Sequence, residues 1–290
     1  MHTASTSGRE FLVGIDSDGC AFDTMELKHK QVFIPQAIES LRLQAIADEY
    51  RAVAERVNLY SQSRGKNRFE ALATCLDYLR KEPKLAAGVP DPTPIWTFVR
   101  SGRALSNDSF AAYLDTAPTS DTAELALLRA VLDWSAQSNR KIAATVVDTP
   151  PFRLVRESLT AAHQFAQTMI VSATPAAALR QEWGHAGLLD LIDVVAGQEQ
   201  GPKTQQLAGE LSRGYRSDRA IMIGDAPGDH RAAQDNGILF FPIVPGRETE
   251  SWQQFADEGL DRFRSGTYGG AYEQAIVGAY YRALDEFSLA

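Results

Sequence analysis

Asp16 and Asp18, separated by one serine and followed by Gly19, form a carboxylate pair at the end of the apolar run Phe11-Leu12-Val13-Gly14-Ile15. Such a run reads as a buried strand, and ligands of open α/β sheets bind just beyond the carboxyl ends of strands. The pair is a reactive one standing where chemistry can occur. Three further segments match it in form. Met169-Ile170-Val171 ends in Ser172; Lys203 follows Gly201-Pro202 and opens a helical pattern; Ala220-Ile221-Met222-Ile223-Gly224 ends in Asp225, with Asp229 close behind. Taken singly, these residues also fit a turn, a helix cap, a solvated lysine and loop acids. Taken together, they run in the order acid pair, hydroxyl, lysine, acid pair, with three of the four at strand ends.

That order resembles the four motifs of the haloacid dehalogenase-like (HAD) hydrolase superfamily, in its phosphatase branch, over about residues 10–25 and 168–245. The resemblance implies Asp16 as nucleophile and Asp18 as general acid and base. It implies that Ser172 donates a hydrogen bond to the phosphoryl oxygens and that Lys203 holds them while offsetting the nucleophile's charge. It also implies Mg²⁺ on the Asp16 side chain, the Asp18 backbone carbonyl and the Asp225 side chain, with Asp229 behind these ligands or acting through water. The chemistry suits the residue types. A carboxylate that attacks phosphorus splits hydrolysis into two easier steps, and a second carboxyl can protonate the leaving group and then deprotonate water. A hard cation resolves the crowding of acids beside a phosphate. The expected function is therefore a Mg²⁺-dependent phosphatase acting on a small phosphorylated metabolite through an aspartyl-phosphate. A phosphomutase, a phosphonate hydrolase and a non-catalytic HAD-like binding protein are the alternatives. The dehalogenase branch lacks the second acid and the metal, whereas Asp18 is present. Cys20 occupies a position where threonine or valine is usual, and its small size suits a structural role.

These residues need particular elements to bring them together. Asp16 and Ser172 must share one site although the sequence between them is domain-sized, and that insert has helical periodicity. Ile34, Ile38 and Leu41 recur at helical steps, as do Tyr50, Val53 and Val57; helices are also expected over 67–81, 110–114 and 121–137. The prolines of 83–94 mark a loop, and 142–147 is ambiguous between strand and helix end. From residue 151 a helix returns the chain to a region of alternating strands (168–171, 192–196, 220–223, 238–243) and helices (175–183, 203–212, 229–236), ending in a helix over 271–287. Alternation of this kind predicts an α/β fold with a Rossmann-like parallel sheet, five-stranded once 11–15 is included. The expected organisation is an α/β core of 1–24 and 161–290 with a large, mainly α-helical cap of 25–160.

The chain has 290 residues, 44% of them hydrophobic, and a formal charge of -8. An acidic chain is poorly suited to a nucleic-acid backbone or an anionic membrane as main partner, so a phosphorylated substrate must meet a local positive pocket. Arg64 and Arg68, in Arg64-Gly65-Lys66-Asn67-Arg68, are the candidate substrate-binding residues of the cap, with a solvated, helix-capping loop as the alternative. Ser101-Gly102-Arg103 is a lesser candidate, and His29 and His163 read as packing or surface residues. The two cysteines, Cys20 and Cys75, read as reduced thiols. Met1 to Gly8 lacks the basic and apolar regions of a secretion signal, which predicts a cytoplasmic protein.

Overall fold

A computed structural model describes residues 8–145 and 149–286; the amino-terminal stretch 1–7 and the end of the ambiguous 142–147 segment lie outside it. The described residues divide into two compact units, one of residues 8–25 with 149–286 and one of residues 26–145.

The second unit is helical. Its longest elements are α1 (Arg68–Lys81) and α2 (Thr122–Thr145), with shorter helices over Ile34–Ser40, Ala47–Glu55, Thr93–Val99 and Asn107–Leu114. Asn67 caps α1, its side chain accepting from the Phe69 amide at 3.0 Å. The buried stripe Phe69, Leu72, Leu76 and Leu79 has the spacing of one helix face. Phe69, Phe98 and Phe110 interlock at the centre of this core, with centroids 4.4–5.6 Å apart. Thr93–Val99 begins within the proline-rich segment expected to be loop, because Pro94 falls in its first turn, where its missing amide is no loss. Two turns, His29–Phe33 and Arg56–Tyr60, are π-helical.

The first unit is the α/β layer structure. Strands β1 (Phe11–Ile15), β2 (Ala166–Val171), β3 (Val194–Ala196), β4 (Ala220–Gly224) and β5 (Leu239–Pro242) form a parallel sheet in the order β3-β2-β1-β4-β5. All of β2 and β4 is buried, as a parallel sheet covered on both faces requires. Its longer helices are α3 (Val155–His163), α4 (Ala176–His185), α5 (Lys203–Leu211), α6 (Pro227–Asp235) and α7 (Ala271–Glu286), with shorter ones over Glu248–Gln254 and Leu260–Ser265. The expected helix from residue 151 is confined to α3, because Ala166 and Gln167 already pair with Phe11 and Leu12.

Strand alternation sorts the two faces. Val13, Ile15, Ile170, Ile221, Ile223 and Phe241 pack with Val155, Leu159, Leu179 and Trp183 of α3 and α4. Leu12, Met169, Val171, Met222 and Phe240 pack with Leu207, Ala232 and Ala233 of α5 and α6. Gly14 lies on the second face, where an added Cβ would meet Leu207, Val171 and Met222 at 3.1–3.3 Å. The outer strand β5 is closed by side chains: the Phe240 carbonyl accepts from Tyr268 at 2.7 Å and its amide donates to Glu273 at 2.8 Å. Among the described residues, no helix is long and apolar enough to cross a membrane.

Candidate active site

The strand order reverses direction at β1, with β2 on one side and β4 on the other, which makes the carboxyl ends of β1 and β4 the natural ligand crevice of the sheet. The β1 ladder continues one residue past the strand, the Asp16 amide donating to the Ile223 carbonyl at 3.0 Å. Alternation then aims Asp16 to the same face as Leu12 and Gly14, the face that α5 covers, and Ser17 to the other. Lys203 is the first residue of α5 and its Nζ lies 2.7 Å from Asp16 Oδ2. Ser17 is buried on the α4 face, its hydroxyl donating to Glu182 at 3.0 Å and accepting from Trp183 Nε1 at 2.9 Å.

Lys203 also reaches Asp229 Oδ1, at 2.5 Å. Asp229 lies in the first turn of α6, and its other oxygen accepts from the Ala226 amide at 3.0 Å. Gly224 makes this possible, since a Cβ there would run into the Asp229 side chain. Asp225 completes the group: one carboxylate oxygen from each of Asp16, Asp225 and Asp229 lies within 4.8 Å of the others. The three residues are 5%, 1% and 0% exposed.

Charge is unbalanced in this cluster. Burial pushes the Asp16 carboxyl well above the usual carboxylate range; Lys203 pulls it down, and Asp229 and Asp225 push it up. Burial works against the Lys203 ammonium, but Asp16 and Asp229 outweigh it and raise its pKa. Three buried carboxylates thus crowd around the Lys203 ammonium, where bringing like charges together is costly. Such a set of hard oxygen donors can hold a cation.

The other sequence candidates distribute unevenly. Asp18 lies at the same strand end, with Thr24 donating to Oδ1 and Thr174 to Oδ2, the latter at 3.1 Å. Ser172 is 2% exposed and its hydroxyl accepts from the Thr174 amide at 3.1 Å. Arg64 is buried in the helical unit and donates to the Leu59 carbonyl at 2.7 Å. Arg68 donates to Ser135 Oγ at 3.1 Å and Asn139 Oδ1 at 2.6 Å, its guanidinium lying over Phe33. Both arginines thus have partners inside their own unit. Both cysteines are free and buried, and burial pushes their thiols up, Cys75 to about 12, which suits inert core residues.

Three supporting residues escaped the sequence reading. Thr24 and Thr174 grip Asp18, as above. Gln206, one turn after Lys203, has its Nε2 2.9, 2.9 and 2.8 Å from the carbonyls of Ser172, Gly197 and Gly201, and its Oε1 accepts from the Ser172 amide at 3.1 Å. It ties the ends of β2 and β3 to the loop that sets Lys203. Its place three residues after Lys203, on the same helix face, was the available signal.

No protein-family model matches the sequence, and no curated protein matches it. Solved structures do resemble it. One, from Lactobacillus delbrueckii subsp. bulgaricus and provisionally assigned as a phosphoglycolate phosphatase, matches 88% of this chain and 98% of its own at 13% identity, with a TM-score of 0.52. The chain has the haloacid dehalogenase-like fold. A HAD-like family hydrolase from Xanthomonas campestris matches 92% of this chain and 97% of its own (13% identity, TM-score 0.46). One from Streptococcus pneumoniae matches 84% and 90% (16% identity, TM-score 0.41). At these identities the likeness describes the HAD-like fold alone. What the site does follows from its own residues.

Proposed function

We propose that the chain is a Mg²⁺-dependent phosphatase that hydrolyses a small phosphorylated metabolite through an aspartyl-phosphate. The observation that carries this reading is the meeting of Asp16, Lys203, Asp225 and Asp229 at the switch point of the sheet, with Asp18 two residues from Asp16. Asp16 supplies the attacking oxygen: its bond to phosphorus forms as the bond from phosphorus to the leaving oxygen breaks. Asp18, steadied by Thr24 and Thr174, gives its proton to that leaving oxygen. It then takes a proton from the water that cleaves the aspartyl-phosphate, which releases inorganic phosphate and restores Asp16. Lys203 draws the phosphoryl oxygens toward Asp16, and the Ser172 hydroxyl adds a donor to them.

The donor set fits Mg²⁺, because the clustered ligand atoms are all carboxylate oxygens and their charge exceeds what Lys203 offsets. Asp16, Asp225 and the Asp18 carbonyl would hold the ion, with Asp229 behind them or acting through water. When bound, it supplies the positive charge that lets acids and a phosphate share one site. The expected result is phosphate release from one or more members of a panel of phosphorylated metabolites, abolished by EDTA and restored by Mg²⁺. Release that survives thorough chelation would sink the metal dependence, and a folded protein inert on the whole panel with Mg²⁺ present would sink the activity.

A further inference from the structure

The carboxyl-terminal helix α7 lies far from every catalytic motif in sequence, yet it reaches the acid cluster. Tyr280, 0% exposed, donates its hydroxyl to the backbone carbonyl of Asp225 at 3.0 Å. The amide at the other end of the same peptide unit, that of Ala226, donates to Asp229 Oδ2 at 3.0 Å. The peptide plane between Asp225 and Ala226 is thus gripped at both ends, by Tyr280 and by an acid of the cluster. This grip matters because of the neighbouring sequence. Gly224 precedes Asp225, and its missing side chain, which Asp229 requires, also gives the strand end the freest backbone available. A loose peptide there would let the Asp225 carboxylate swing.

We infer that Tyr280 is a positioning residue for the cation site: its hydrogen bond fixes the Asp225 peptide and so aims the Asp225 carboxylate toward Asp16 and Asp229. The inference rests on the cation-binding reading of the acid cluster. The role assigned to Tyr280 is exerted through Asp225, whose carbonyl it holds. From Asp225 the connection runs onward without a break, through Ala226 to Asp229, from Asp229 to Lys203 and from Lys203 to Asp16.

A second tyrosine makes a matched control. Tyr268, in the turn before α7, is equally buried and likewise donates to a backbone carbonyl, that of Phe240, but on β5 and away from the acids. Tyr280→Phe and Tyr268→Phe each remove one hydroxyl and one buried hydrogen bond. Mg²⁺ binding to the metal-free full-length protein, measured by titration calorimetry, and Tm without metal are the two readouts. Loss of a hydrogen bond that orients a ligand is expected to raise the Mg²⁺ Kd about threefold to tenfold in Tyr280→Phe. Tyr268→Phe is expected to stay within about twofold of the parent, while both variants lower Tm to a similar extent. An unchanged Kd in Tyr280→Phe, or an equal rise in both variants, overturns the positioning role. The parent protein reports on the underlying reading separately: if it shows no saturable Mg²⁺ binding, the cation site itself fails and the inference with it.

Discussion

The two units bury charge in opposite ways. In the α/β unit, Asp16, Asp225 and Asp229 are crowded at the ends of β1 and β4, and the Lys203 ammonium bridges Asp16 and Asp229. In the helical unit, the buried Arg64 donates to a backbone carbonyl, and Arg68 to a serine and an asparagine side chain. Each of these arginines meets neutral acceptors of its own unit. The acid cluster instead holds like charges together, an arrangement that costs stability and is retained where chemistry uses it. The acid-rich cluster carries the proposed cation and phosphoryl chemistry, whereas the arginines, read from sequence as anion-binding candidates, hold acceptors within the helical unit.

The contrast breaks most visibly at Asp16. Asp16→Asn removes the nucleophile and one charge of the cluster, and it is expected to lower turnover on the order of 10⁴-fold while the circular dichroism spectrum stays near the parent's and Tm does not fall. Phosphate release by the purified variant at more than a tenth of the parental rate would remove Asp16 from its role.

The arginines should behave in the reverse sense. Arg64→Ala leaves the Leu59 carbonyl without this donor, and a cost of about 1–3 kcal/mol in stability is expected, with Arg68→Ala similar or smaller. Urea unfolding measures this. Hydrolysis of p-nitrophenyl phosphate should change little in either variant. A KM that rises more on the natural substrate than on this generic ester would add substrate recognition to their structural role, and unchanged stability would undo the division drawn between the units.

The smallest effect is expected at Glu273, a single half-buried carboxylate in the same unit as the cluster, which separates crowding from burial as the source of the contrast. Burial raises its pKa above the ordinary 4.5, and the hydrogen bond from the Phe240 amide lowers it by less. A carboxyl whose folded pKa is raised stabilises the fold fully below its unfolded pKa and loses that contribution as pH rises through the folded value. At pH 7 the ionised Glu273 therefore detracts from stability. Glu273→Gln keeps an acceptor for Phe240 and removes the titration, so its Tm relative to the parent should be higher at pH 7 than near pH 4.5. A Tm difference that does not change over this range would show that Glu273 is solvated like a surface acid.

Some of the molecule follows from local sequence alone. Runs such as Phe11–Ile15 and Ala220–Gly224 are apolar on both faces because a parallel sheet is covered on both sides, so strand identity could be read without a partner. The placing of Asp16 and Asp18 beyond such a strand, and of Lys203 at a helix start, could be read for the same reason: strand ends and helix starts are local signals. The α1 stripe was equally legible, being an interaction of a helix with its own period. What sequence left open depended on contacts between distant residues. Thr93–Val99 and the helices at 248–254 and 260–265 carry weak periodicity and form in their tertiary surroundings. Only the fold could show that Arg64 is buried against Leu59, that Gln206 binds two strand ends, and that Tyr280 on the final helix meets Asp225. The sequence determined which residue types stand at strand ends; the tertiary structure decided which of them meet, because a hydrogen bond between positions 225 and 280 has no period to betray it.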